Sequence, residues 1–161
     1  MTGHPEIDAQ HAQLTDLIGK LGEVCAIQDK TGELCPQCSA ECRSSCTDRL
    51  AGLLGDLLGF MITHFVYEES LMLRLPKTAV CGRHVESHKA AHAEISQRLT
   101  DLTAKLDQES PQQCATRLQN IIVAWIGKHE KHFDTKLATQ LEKAYSTEIA
   151  YDIELAELLP H

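Results

Sequence analysis

Apolar residues recur every three or four positions through four long segments of this chain, a period that fits helices packed as a bundle. The first segment covers residues 6–27, with Ile7, His11, Leu14, Leu17, Ile18, Leu21 and Val24 on one stripe. The second covers 46–74, striped by Leu50, Leu53, Leu54, Leu57, Met61, His64, Glu68 and Leu71, and Pro76 blocks its continuation. The third covers 83–106, with Val85, His88, His92, Ile95, Leu99, Leu102 and Leu106 in phase. Ser110-Pro111, a capping serine before a first-turn proline, opens the fourth over 111–145, striped by Leu118, Ile121, Ile122, Trp125, His129, Phe133, Leu137 and Leu141. The second and third connections are short, which favours antiparallel neighbours. The expectation is an all-α, up-down-up-down four-helix bundle over residues 1–145, with a cysteine-rich insertion at 29–46. The acidic tail 146–161 keeps spaced apolar residues and reads as an extra helix or a linker.

Charge and cysteine usage limit the partners. A net charge of −8 with no basic stripe argues against nucleic acid and against an anionic membrane surface. The apolar stretch 50–66 is short for a membrane span and is interrupted by Asp56 and His64, so it reads as a buried helix. The first twenty residues lack an apolar core, so no export signal is expected and the chain reads as cytoplasmic. In a reducing compartment, seven cysteines point to metal ligands or redox thiols before structural disulfides.

The histidines sit where core residues should be. His64 and Glu68 are four apart, as are His88 and His92, and such pairs share one helix face a turn apart. His11 and His129 lie on the apolar stripes of the first and fourth segments. Singly, each is explained by a hydrogen-bonded core histidine. Counted from one pole of an antiparallel bundle at about 1.5 Å per residue, however, these six and Asp134 fall in one slab roughly 20–35 Å up. Four helices delivering polar groups to one apolar layer would carry a heavy desolvation cost without a ligand. Five imidazoles and two carboxylates exceed the needs of one tetrahedral zinc and suit two six-coordinate first-row ions, iron among them.

The segments Ile7-Asp8-Ala9-Gln10-His11, His64-Phe65-Val66-Tyr67-Glu68-Glu69, His88-Lys89-Ala90-Ala91-His92 and Trp125-Ile126-Gly127-Lys128-His129 with Asp134 resemble hemerythrin, specifically bacterial hemerythrin domains, over about residues 7–141. The resemblance implies that His88, His92 and His129 saturate one iron, while His11 and His64 hold the other and leave a position for dioxygen. It implies that Glu68 and Asp134 bridge the pair together with a solvent-derived oxo or hydroxo group. It also implies apolar walls around the oxygen position, for which Leu14, Ile18, Phe60 and Trp125 are candidates, although core packing explains each as well. Thr15, four residues after His11, is read as a surface hydroxyl. Asp134 is five residues after His129, about 140° around a regular helix. Spacing alone does not select it over His132, and the family pattern does. Glu69 is read as solvated, and His4, His84, His132 and His161 as surface or outer-layer residues, His84 being the closest to joining the site.

Cys35, Cys38, Cys42 and Cys46 are spaced three, four and four apart, with Cys25 and Cys114 expected at the same pole and Cys81 elsewhere. Three readings stay open for them: buried packing, a redox or disulfide pair, and a zinc or iron–sulfur site. Three functions follow from the whole. The first is an oxygen or redox sensor that acts on an attached or partner output of diguanylate cyclase or chemoreceptor type through the C-terminal tail. The second is a free-standing oxygen carrier or store, and the third a di-iron oxidase, peroxidase or nitric-oxide-handling enzyme. Nitrogen-rich, neutral ligation favours oxygen binding over oxygenation, so the expectation is a protein that is not itself an enzyme.

Overall fold

In the computed structural model, residues 1–25, 39–104 and 109–158 are described, without the side chains of 148–158. They form helices α1 (Pro5–Gly22), α2 (Ala40–Met72), α3 (Ala79–Thr103), α4 (Pro111–His129) and α5 (Thr135–Leu158), with a five-residue π turn, Glu130–Asp134, joining α4 to α5. No strand occurs among the described residues.

Each helix start has a local cause. Pro5 opens α1, and the Asp8 carboxylate accepts from the Thr2 and Gly3 N–H groups and from the Thr2 hydroxyl, which folds the first residues back over that end. The Ser39 hydroxyl accepts from Cys42 N–H, and the Thr78 hydroxyl from Cys81 N–H. Ser110 and Gln113 form a reciprocal capping box ahead of Pro111. These caps move two starts from the expected positions. α2 begins at Ala40, six residues before Cys46, so Cys42 and Cys46 are helical residues and not part of a loop. α3 begins at Ala79, four residues before Arg83, because Thr78 supplies the cap. α1 stops at Gly22 and not at Ile27; Gly22 lies close against the Gln119 side chain, whose Nε2 donates to the Ile18 carbonyl. Cys25 therefore follows the helix in a turn. Among the described residues, α5 continues into the tail as far as Leu158.

Helix contacts run in opposite sequence directions. Along α1 and α2, Gln10 meets His64 and Glu23 meets Arg49; along α1 and α4, Ile18 meets Gln119 while His11 meets Glu130. Across α2 and α3, Glu69 pairs with Lys89 and Phe65 stacks on His92. The buried apolar residues fall into two clusters. The larger runs from Leu14 to Leu21 on α1, takes in Val24 just beyond it, and includes Leu57 and Met61 of α2, Ile95 of α3 and Ile122 of α4. The smaller joins Ile7, Leu71, Met72, Leu75, Cys81 and Leu137. On each helix the polar groups of interest lie between the two: His11 between Ile7 and Leu14, Glu68 between Phe65 and Leu71, His88 and His92 between Cys81 and Ile95, and His129 between Ile122 and Leu137.

α2 is long and apolar enough to cross a membrane, the one such helix among the described residues. Its inner face (Leu50, Leu54, Leu57, Met61, Phe65) is core, as expected for 50–66, while its outer face is exposed.

Candidate metal centre

The structure brings together all seven residues singled out from the sequence: His11, His64, Glu68, His88, His92, His129 and Asp134. All are buried, and His64, Glu68, His88 and Asp134 are fully so. The i,i+4 pairs on α2 and α3 project together as their spacing requires. Asp134 needs the π turn. There, hydrogen bonding reaches five residues back, with Thr135 N–H donating to the Glu130 carbonyl and the Thr135 hydroxyl joining at 2.8 Å. The wider turn carries Asp134 round to the face of His129, leaving its Oδ1 at 3.1 Å from His129 Nε2. His132, the geometric competitor on a regular helix, is exposed instead.

The donor atoms form two groups, each with all members within 4.8 Å of one another: Glu68, His88, His92 and His129, and then His11, His64, Glu68 and Asp134. In the first, His129 Nε2 lies 2.9 Å from His88 Nε2 and 3.1 Å from His92 Nε2. Glu68 Oε2 is 3.1 Å from His92 and 3.4 Å from His88, and Asp134 Oδ1 is 3.1 Å from His88. Two imidazoles bound cis to one first-row ion at about 2.1 Å lie about 3.0 Å apart, the separation seen here. In the second group, Asp134 turns its other oxygen, Oδ2, to within 3.1 Å of His11 Nε2, and Glu68 Oε2 is 3.6 Å from His64 Nε2. Asp134 therefore spans the groups with one oxygen on each side, and Glu68 is common to both.

The buried polar atoms call for a cation. His11 Nε2, His64 Nε2, Glu68 Oε1 and both Asp134 oxygens are buried without a hydrogen-bonding partner among the described residues, a heavy penalty for groups that share one cavity. Protons go part of the way. Burial opposes ionisation of Glu68, but hydrogen bonds from His129, His88 and His92 outweigh it and hold the carboxyl well below its ordinary range. For Asp134 the close His11, His129 and His88 imidazoles outweigh burial in the same direction. Burial pushes the His64 imidazole down to about 4 against the pull of Glu68, so it is neutral and its Nε2 can offer a lone pair. Burial also lowers His92, whereas at His11 and His88 the facing Asp134 carboxylate overcomes burial and raises them.

The outer layer orients the ligands. Gln10 Oε1 sits 2.8 Å from His64 Nδ1, and Gln10 Nε2 donates toward Glu6 at 3.4 Å, which fixes the amide with its oxygen toward the ring. His64 Nδ1 is then the donor and Nε2 the free ligand atom. Glu69, expected to be solvated, is half-exposed. One oxygen pairs with Lys89 at 2.7 Å and the other lies 3.6 Å from His92 Nδ1. Glu130 places an oxygen 3.9 Å from His11 Nδ1. The sequence reading gave no role to Gln10 or Glu130; the one available signal was that Gln10 adjoins His11 and Glu130 adjoins His129.

Aromatic rings back the imidazoles. Phe65 stacks on His92 at 3.9 Å between centroids, Trp125 on His129 at 4.2 Å, Phe133 on His88 at 5.1 Å and Phe60 on His64 at 6.1 Å. Of the wall candidates, Leu14, Ile18 and Phe60 belong to the core around α1 and α2, and Trp125 stands on the three-histidine side. Phe65 and Phe133 were not foreseen as neighbours of the site. The Thr15 hydroxyl is on an exposed residue and donates to the His11 carbonyl. His84 is buried with its ring 5.4 Å from that of His88, and His4 packs edge-on to Tyr67. His161 lies outside the described residues, as do Cys35 and Cys38. Cys46 and Cys114 are buried in the larger cluster, with Cys25 and Cys42 packed against it, and Cys81 belongs to the smaller one. Among the described residues no cysteine joins a group with metal-ligand spacing.

Imidazole nitrogens and shared carboxylates, buried and in two adjoining sets, define a helical cation-binding domain. The chain matches the family of the hemerythrin HHE cation-binding domain over residues 2–141, and it belongs to that family. No curated protein and no solved structure matches it.

Proposed function

We propose that this domain holds two iron ions, binds dioxygen at one of them, and reports oxygen or redox state to a signalling output in the cytoplasm. The observation that carries the two-ion reading is the sharing of Glu68 and Asp134 between donor groups of unequal nitrogen count. When bound, the ion pair supplies reversible two-electron chemistry toward dioxygen. The residues of the chain set the terms. His88, His92 and His129 with the two carboxylates offer five donors on one side; His11 and His64 with the same carboxylates offer four on the other. The poorer side is where an outside ligand finds room, and Leu14, Ile18 and Phe60 keep bulk water from it. Five neutral nitrogens add little negative charge, which favours binding over oxygenation. The up-down-up-down course of the helices, supported by the opposed contacts of α1, α2, α3 and α4, is what gathers the donors in one layer.

The signalling part is supported by the position of Asp134. It ends the π turn, and the next residue begins α5, which continues to Leu158. A ligand at the root of the C-terminal helix gives the metal state a direct mechanical hold on whatever follows.

Iron quantitation with an optical spectrum tests the centre. Two irons per chain and reversible oxygenation of the reduced protein are expected, and one iron or none in iron-replete protein would overturn the reading. Hydrogen exchange along α5 in the reduced and oxidised states tests the output. Unchanged protection together with an oxygen adduct stable for hours would point to a carrier, and sustained turnover of peroxide or nitric oxide to an enzyme.

A further inference from the structure

α2 is the most apolar helix of the bundle, yet among the described residues nothing packs over its outer face. Ile62, Val66 and Leu73 are 64%, 63% and 85% exposed. Between Leu50 and Tyr67 the sole charged side chain is Asp56. On the same face, Gly52, Gly55 and Gly59 stand in open space, with no heavy atom outside their own stretch of helix within 4 Å of where a Cβ would be. Glycines inside an exposed helix weaken it, and among the described residues nothing makes use of their small size.

The positions have a register. Asp48, Gly52, Gly55, Gly59, Ile62, Val66, Glu69 and Leu73 alternate steps of four and three, the seam of a two-helix coil. Along that seam the three glycines lie toward one end and the large side chains toward the other. If a second α2 is laid antiparallel about a two-fold axis between Gly59 and Ile62, Ile62 falls on Gly59 of the other copy, Val66 on Gly55 and Glu69 on Gly52. Just past the end of α2, Leu73 and Arg74 come to the Asp48 end of the other copy. Ile62, Val66 and Glu69 each meet a glycine gap, and a cation comes near a carboxylate at each end. A parallel pair would instead set glycine on glycine at one end and Leu73 on Leu73 at the other, which no constant helix separation satisfies. We propose that α2 pairs antiparallel with α2 of a second copy of this chain, an isologous interface in which glycine gaps receive the partner's branched side chains. Lipid is the less suited occupant, because Asp48, Asp56 and Glu69 lie on or beside the seam.

Sedimentation equilibrium of the iron-loaded chain tests this. The expected mass is twice 17.9 kDa at micromolar concentration. Gly55→Leu with Gly59→Leu fills the gaps and should raise the dissociation constant about tenfold or more while helix content and iron are kept, since the space beside each glycine is open. Val66→Lys should act likewise by removing a knob, and it stands in if the double variant fails to fold. A wild-type monomer across that range would overturn the proposal, as would a dimer indifferent to both changes. Protein that stays monomeric in buffer and pellets with phospholipid vesicles would assign the face to a membrane instead.

Discussion

Gln10→Leu isolates one half of the metal centre. The substitution keeps the approximate volume of the side chain but removes the oxygen 2.8 Å from His64 Nδ1, and His64 is fully buried, so water has little access to replace it. An unsatisfied buried donor costs about 1–3 kcal/mol. Metal sites stripped of an outer hydrogen-bond partner lose about 10- to 100-fold in affinity, or about 1.4–2.7 kcal/mol. The two scales agree, so the ion held by His11 and His64 should bind about 10- to 100-fold more weakly, while the His88–His92–His129 side is little changed. Competition against a graded chelator, with iron followed by metal analysis, would show release in two separated steps instead of one broad one. Gln10→Glu retains an acceptor and should close the gap again. Wild-type release from the leucine variant, or loss of both ions in a single step, would refute the idea that Gln10 acts by orienting His64.

Other expectations are equally concrete. Glu68→Ala and Asp134→Ala each remove a carboxylate common to the two groups and should leave at most one iron per chain by metal analysis; two retained irons would strike that residue from the ligand set. Burial, with the nearby His88 adding to it, pushes His84 down to about 4 from 6.5, so the unfolded chain takes up this proton first as pH falls, and stability is lost between those values. His84→Phe should therefore flatten the decline in urea midpoint of metal-free protein between about pH 7 and pH 4.5, and an unchanged slope would discount the burial of that ring. Trp125 is the single tryptophan and stacks on His129, so its emission should change as metal binds, and a flat titration would contradict the stacking. Burial raises the Cys114 thiol, which should react with an aromatic disulfide reagent more slowly than half-buried Cys42.

The sequence exposes the helices because a period of three to four survives any packing detail, and it exposes most of the centre for the same reason. A histidine in an apolar stripe breaks a pattern that is otherwise kept. The i,i+4 pairs at His64 and Glu68 and at His88 and His92 need only regular helix geometry. Asp134 does not follow from that geometry, because the widened turn that brings it to His129 leaves no mark in apolar spacing. Helix starts shift for a related reason: Ser39 and Thr78 act through one hydroxyl each, whereas Pro76 and Ser110-Pro111 restrict the backbone outright. Gln10 and Glu69 stay hidden because their roles depend on which neighbouring ring nitrogen they meet. That is a matter of how helices sit against one another and not of sequence spacing.

The π turn also fixes the phase of everything downstream. Winding all five residues 130–134 as an ordinary helix, with none lost, would swing α5 by about 100° about its axis. Leu137 would then leave the cluster it shares with Ile7 and Leu71, and a different flank of the final helix would face outward. The same widened winding that carries the Asp134 carboxylate to the donor groups thus decides which side of the C-terminal rod is on offer, so a substitution that tightens 130–134 to ordinary winding should disturb both together.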